Sequence, residues 1–269
     1  MPKENIPIFE ICGPVMIGPS SSHTAGVARI AYLVRKMYAA EPGRAVVSFY
    51  GSLAATWKGH GSGDAVIAGL LGIPPEDERL SRGGEILRDM QMAGTGFPID
   101  IRAIAELPPS WHPNSLVIEL FDEEVAARKT EARKTEAREA EARETEGREA
   151  GDPPPARNPG SPLVIRAASI GGGSIRIDEI DGYQVSLSGE LDAILVLHHD
   201  EIGVIAIVSH ILAAERINIA GTSSHRKEKG DEALLLVETD GPVPKSVTNL
   251  IRDLPPIYRV IRVPSLERL

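Results

Sequence analysis

The stretch that decides the fold is Asp192–Thr222, DAILVLHHDEIGVIAIVSHILAAERINIAGT. Asp192–His198 is a short, almost unbroken apolar run and reads as a strand. After the polar turn Asp200-Glu201-Ile202-Gly203, apolar residues recur at three- and four-residue spacing through Gly203–Ala214, which predicts a helix. Ile217–Thr222 then returns to strand character. Further on, Ala233–Glu238 reads as a strand, Pro244–Asp253 as a helix and Tyr258–Val263 as a last strand. The order strand–helix–strand–strand–helix–strand is that of the split βαβ, ferredoxin-like arrangement.

Upstream, Leu163–Ala167, Ser174–Ile180 and Tyr183–Ser188 read as strands. In the N-terminal part Pro7–Cys12, Ala45–Tyr50 and Ser115–Phe121 are strand candidates. Thr24–Ala40 spaces Val27, Ile30, Leu33 or Val34, and Met37 as an amphipathic helix, and further helices are expected from Asp64 and over Gly84–Ala93. The class is α+β in two units. Between them, residues 128–149 read RKTEARKTEAREAEARETEGRE, with seven basic and seven acidic residues and no apolar stripe to bury. The proline-rich runs at 153–155 and 159–162 cannot continue a helix. Residues 124–162 are therefore expected to be a linker or insertion, with domains over 1–123 and 163–269 and the ferredoxin-like unit at about 192–265.

Composition narrows the function. The chain has 269 residues and a net charge of −9, which advertises neither nucleic acid nor an anionic membrane as partner. It has neither a signal-peptide profile nor an apolar run of the roughly 20 residues that a membrane helix needs, so a cytoplasmic location is expected. A single cysteine, Cys12, rules out an intrachain disulfide, a cysteine-rich zinc site and, on its own, an iron–sulfur cluster. No His spacing predicts a metal site.

Three polar turns are candidates for chemistry. Gly18-Pro19-Ser20-Ser21-Ser22-His23-Thr24 precedes the first helix and would gather hydroxyls, an imidazole and free N–H groups, a combination suited to a small carboxylate or phosphate. Thr56-Trp57-Lys58-Gly59-His60-Gly61-Ser62-Gly63-Asp64 precedes another helix, with Lys58, His60 and Ser62 as anion or substrate contacts. It lacks both the phosphate-loop and the dinucleotide pattern. In the C-terminal unit, Asp200, Gly203 and Asn218 are candidates for binding an amino acid at an interface.

Collinear motifs carry a family resemblance. Gly13–Arg29 (GPVMIGPSSSHTAGVAR), Tyr50–Gly72 (YGSLAATWKGHGSGDAVIAGLLG), His112-Pro113-Asn114, Ser169–Gly173 and Ile217–Asp240 resemble the β subunit of the iron–sulfur L-serine dehydratases, the last motif belonging to the ACT domain that closes many members. The resemblance implies a serine-dehydratase β domain followed by a ferredoxin-like ACT domain, and the reaction L-serine to pyruvate and ammonia. It also implies a [4Fe–4S] cluster ligated by cysteines of a separate α subunit and not by this chain. Ser21, Ser22, His23 and Thr24 would face that cluster and enclose substrate. His60 would handle a proton or orient substrate, Lys58 would supply anion attraction, and Ser62 would be a further anion or substrate contact. The ACT unit would bind L-serine between paired copies. The N-terminal domain also resembles the anion-binding regulatory domain of some phosphoglycerate dehydrogenases, which leaves a non-enzymatic amino-acid sensor as the alternative.

Overall fold

The computed structural model describes residues 19–38, 40–122 and 162–268. The candidate strand Pro7–Cys12, Cys12 itself and the charged run 128–149 lie outside the described residues. Two sheets organise what is described. The larger contains β1 (Arg44–Tyr50), β2 (Ile99–Ile104), β3 (Ser115–Phe121), β4 (Leu163–Gly171), β5 (Ser174–Ile180) and β6 (Tyr183–Leu187), in the spatial order β2-β1-β3-β4-β5-β6. Only β1 and β2 run parallel, and the connection between them carries α2 (Gly51–Thr56), α3 (Ser62–Leu70) and α4 (Gly83–Met92). The other pairs are antiparallel.

The second sheet contains β7 (Asp192–His199), β8 (Ile219–Arg226), β9 (Glu232–Thr239) and β10 (Ile257–Val263), in the order β10-β7-β9-β8 and antiparallel throughout. With α5 (Val204–Ala214) and α6 (Lys245–Arg252) this completes the expected split βαβ order. The side-chain period of two explains why β7 reads as continuously apolar. Ile194 and Val196 pack with Val208 and Leu212 of α5 and Val247 and Ile251 of α6. Ala193, Leu195 and Leu197 point the other way, into a core shared with the larger sheet.

That shared core is centred on α1 (Gly26–Tyr38). Val27, Ile30, Leu33, Val34 and Met37 meet Val47 and Phe49 of β1, Ile118 of β3, Ile165 of β4 and Val263 of β10. Ala28 turns to Ala65 and Ala68 of α3. A helix buried on so many sides holds both sheets together and fixes its own N-terminus in place.

One boundary is corrected. The segment 124–162, expected to separate two domains, joins adjacent strands of one sheet: β3 and β4 pair antiparallel, Leu120 opposite Leu163. Leu163–Leu187 therefore completes the first sheet rather than opening the second unit. Alternating core residues in β4, Leu163, Ile165 and Ala167, require that pairing, because their apolar face has no other core to enter. The short α2 and the strand β2 were not anticipated. β2 is an edge strand reading Ile-Asp-Ile-Arg-Ala-Ile and largely solvent-facing, too polar to stand out.

Candidate active site

Ser20 caps the first helix, its Oγ accepting from the His23 amide at 3.1 Å. Ser21–Ala25 form a π-helical turn that runs directly into α1. This wider turn leaves Ser21, Ser22 and His23 half-buried on one side, while Thr24 and Ala25 are buried. The hydroxyls of Ser21 and Ser22 make no hydrogen bond to other described residues. The helix start also lies hard against β4: a Cβ on Gly26 would stand 1.9 Å from Ser169 Oγ.

Three further segments converge on this turn. Ser52 lies in the first turn of α2, just after Gly51, whose φ of +55° and whose closeness to the Pro113 carbonyl (2.4 Å from a Cβ) leave no room for a side chain. Asn114 follows Pro113 immediately before β3, and Ser169 sits near the end of β4. His23 Nε2 lies 3.0 Å from Ser52 Oγ and 3.2 Å from Asn114 Oδ1, and the Ser52 hydroxyl donates to the same Asn114 oxygen. Asn114 Nδ2 donates to the Ser169 carbonyl at 3.3 Å, and the Ser169 amide donates back to the Asn114 carbonyl at 3.1 Å.

This network assigns a tautomer. Because Asn114 Nδ2 is committed to Ser169, its oxygen must face His23 and Ser52. An acceptor there, with the Ser52 proton already given away, requires Nε2–H on His23. The neutral imidazole therefore keeps its basic lone pair on Nδ1.

His60 stacks on His23, with ring centroids 4.9 Å apart and planes 10° from parallel. Thr24 Oγ1 donates to the His60 carbonyl at 2.8 Å, tying the glycine-rich turn to the start of α1. Ser62 opens α3 and is fully buried. Three polar atoms here are sealed from water without a hydrogen-bond partner among the described residues: His60 Nδ1, Ser62 Oγ and Ser169 Oγ. Buried polar atoms are normally satisfied, so three orphans around one turn mark a place built for a further polar partner.

Of the residues singled out from sequence, Ser21, Ser22, His23, Thr24, His60 and Ser62 lie on these two linked turns. Lys58 does not join the network; it is exposed, with its ammonium 5.4 Å from the centroid of the Trp57 ring. Ser52, Asn114 and Ser169 went unassigned. Each lies in a motif that carries the family resemblance, within Tyr50–Gly72, His112-Pro113-Asn114 and Ser169–Gly173, but no role was attached to it because its partners are distant in sequence.

The donor set consists of hydroxyls, an amide and two imidazoles. Among the described residues no group of three or more His, Cys, Asp or Glu side chains could hold a metal ion. These residues do not fit the thiolate ligation of an iron–sulfur cluster.

The C-terminal candidates divide. Gly203 precedes α5 with φ +98°, and Asp200 Oδ2 accepts from the Gly230 amide at 3.0 Å and from Arg226 at 3.2 Å. The Gly230 and Arg226 donors hold the half-buried Asp200 carboxyl below its ordinary pKa. These residues line an open groove of about 670 Å³ between the β7–α5 turn and the β8–β9 hairpin. Asn218 is elsewhere. It precedes β8 and donates to Asp240 at 2.6 Å, while Arg226 ends the same strand, about 27 Å away at ~3.4 Å per residue. Within one copy Asn218 does not share a site with Asp200 and Gly203.

The chain is 36% identical over 256 residues to the probable L-serine dehydratase beta chain of Bacillus subtilis, covering 95% of this chain and 97% of that one. The chain belongs to the serine dehydratase beta-chain family. The family model described as serine dehydratase beta chain matches residues 7–132. The L-serine dehydratase beta chain of Peptoniphilus asaccharolyticus is 28% identical over 243 residues, or 90% of this chain and 91% of that one. A shorter match, 38% identical over 82 residues, is to the D-3-phosphoglycerate dehydrogenase of Methanocaldococcus jannaschii, covering 30% of this chain and 16% of that one. Among the described residues no helix is long and apolar enough to cross a membrane.

Proposed function

We propose that this chain is the β half of an L-serine dehydratase and that the His23–His60 turn pair forms its share of the active site. The observation that carries the reading is the imidazole pair at a helix start, with His23 held by Ser52 and Asn114 and His60 stacked on it. The iron–sulfur cluster that the family resemblance implies belongs on a partner α chain, because the donor set here is wrong for it. This chain's residues bind substrate and move protons. The amides of residues 23–26 are spent on Ser20 and Ser21, so the hydroxyls of Ser21 and Ser22 are the groups suited to the substrate carboxylate. His23, oriented through Nε2, presents Nδ1 as a base for the Cα proton, and the stacked His60 supports the charge change.

Reconstitution with the cysteine-rich partner under anaerobic conditions tests this by pyruvate formation from L-serine. The reading requires that His60→Ala and His23→Ala each depress turnover in that assembly. Undiminished pyruvate from both variants would sink it.

The C-terminal unit is read as an ACT domain that pairs with a second copy and binds an amino acid, L-serine by preference. Two observations support pairing. β8 is an open sheet edge, and Ile202, Ile205 and Ile207 at the start of α5 are exposed, Ile202 completely. A two-fold axis that pairs two β8 strands antiparallel brings Asn218 of one copy beside the Arg226 end of the other, and so to the Asp200–Gly203 groove. The three residues that a single copy keeps apart would then meet. Sedimentation of the full chain checks the pairing, and a strictly monomeric chain argues against it.

A further inference from the structure

A separate cavity of about 360 Å³ lies between the two units, where the β5–β6 turn of the larger sheet meets the β8–β9 hairpin and β10 of the smaller one. Its polar lining is unusual. Lys227 Nζ sits 4.6 Å above the Tyr183 ring and forms no ion pair with a described residue. Glu232, also in the lining, has no cationic partner among the described residues; its Oε2 accepts from the Tyr183 hydroxyl at 3.5 Å. The Tyr258 hydroxyl is shielded from water and makes no well-formed hydrogen bond among the described residues, though Tyr183 and Glu232 lie beside it. Burial pushes both phenols up, Tyr183 to about 12, so each remains a neutral donor at physiological pH. Asp181, by contrast, is neutralised in the wall by the Val164 amide at 2.9 Å and by Arg259 at 3.6 Å.

One exposed cation without an ion-pair partner, one carboxylate met only by phenols and a buried phenol with no well-formed hydrogen bond therefore surround a volume in the range of small-molecule sites, about 300–1,000 Å³. An anion alone would face Glu232 and a cation alone would face Lys227. A zwitterion satisfies both, and the Tyr258 hydroxyl adds a donor for its carboxylate. We propose that this interunit cavity binds a small α-amino acid as its zwitterion, carboxylate toward Lys227 and ammonium toward Glu232. The site is distinct from the Asp200 groove at the β7–α5 turn. It stands independently of the dehydratase reading, since it needs neither the α chain nor turnover. Its position also matters. β4 begins beside the cavity at Val164 and ends at Ser169 in the candidate active site, about 17 Å further along at ~3.4 Å per residue.

Calorimetric titration of the full chain with L-serine, L-alanine and L-valine in turn tests the proposal, using the parent, Asp200→Ala, Lys227→Met, Lys227→Arg and Glu232→Gln. At least one of the three is expected to bind to Asp200→Ala as it does to the parent. Lys227→Met and Glu232→Gln are each expected to weaken that component by about tenfold or more, and Lys227→Arg to retain it. For the same amino acid, the N-acetyl and methyl-ester forms each lack one charge and are expected to bind at least about tenfold more weakly to the parent. This second arm holds even where a variant fails to fold. The proposal is overturned if none of the three binds, if Asp200→Ala removes all binding, or if the blocked forms bind as well as the free amino acid.

Discussion

The turn pair at the start of α1 and the groove at the start of α5 are both polar sites at helix entrances, and they are built in opposite ways. The first is assembled from four distant segments. His23, Ser52, Asn114 and Ser169 are held by mutual hydrogen bonds, and the start of α1 is buried against β4. The second is local and open. Asp200 and Gly203 share one turn, and Arg226 and Gly230 come from the hairpin that two neighbouring strands place opposite. A convergent site is positioned by the whole core and should respond to packing defects. A local site should respond mainly to its own hydrogen bonds and to whatever covers its exposed edge.

The largest effect that separates them is on turnover. Replacing His23 with alanine in the assembled enzyme is expected to lower kcat by about 10² to 10⁴, the usual worth of a positioned acid–base group. Asn114→Ala should give a smaller loss and an altered pH–rate profile, since the imidazole remains but its tautomer is no longer imposed. Equal losses from Asp200→Ala would erase the distinction between the two sites.

Next in size is stability. Gly26→Ala is expected to cost about 1–3 kcal/mol, because its methyl would stand 1.9 Å from Ser169 Oγ and the helix start would have to shift. Gly203→Ala meets open space, and only its φ of +98° opposes it, so thermal denaturation should show a smaller loss. Activity should fall with Gly26→Ala and not with Gly203→Ala.

For the open site, Ile205→Glu is expected to abolish self-association in sedimentation while leaving the monomer folded, since Ile205 is exposed on α5. A variant that still pairs would move the interface elsewhere.

The smallest effect is electrostatic. The folded pKa of Asp200 is depressed by Gly230 and Arg226. Its anchoring of the hairpin is therefore complete above the ordinary aspartate pKa and is lost as pH falls through the lower folded value. The Gly230 amide resonance followed by NMR should report that loss at acid pH, whereas Asp200→Asn should flatten the titration.

The second sheet was readable almost strand by strand, because β7 and β9 are apolar on both faces and α5 carries a clear helical period. β2 and α2 were not, since an exposed edge strand and a six-residue helix leave little periodic trace. The candidate site was half legible. The Ser21–Thr24 and His60–Ser62 turns are dense in polar groups, but Ser52, Asn114 and Ser169 are single polar residues whose meaning depends on which turns the sheet brings together.

From sequence alone came the apolar periodicities, and with them the α+β class, the split βαβ order and the family motifs, because each is written in residues close along the chain. Only the tertiary structure decided that residues 163–187 complete the first sheet, that Asn114 fixes the His23 tautomer, and that Asn218 stands a strand's length from Asp200. Those outcomes depend on which distant segments share a core, and a buried helix such as α1, contacted on several sides at once, settles that only when the chain is folded.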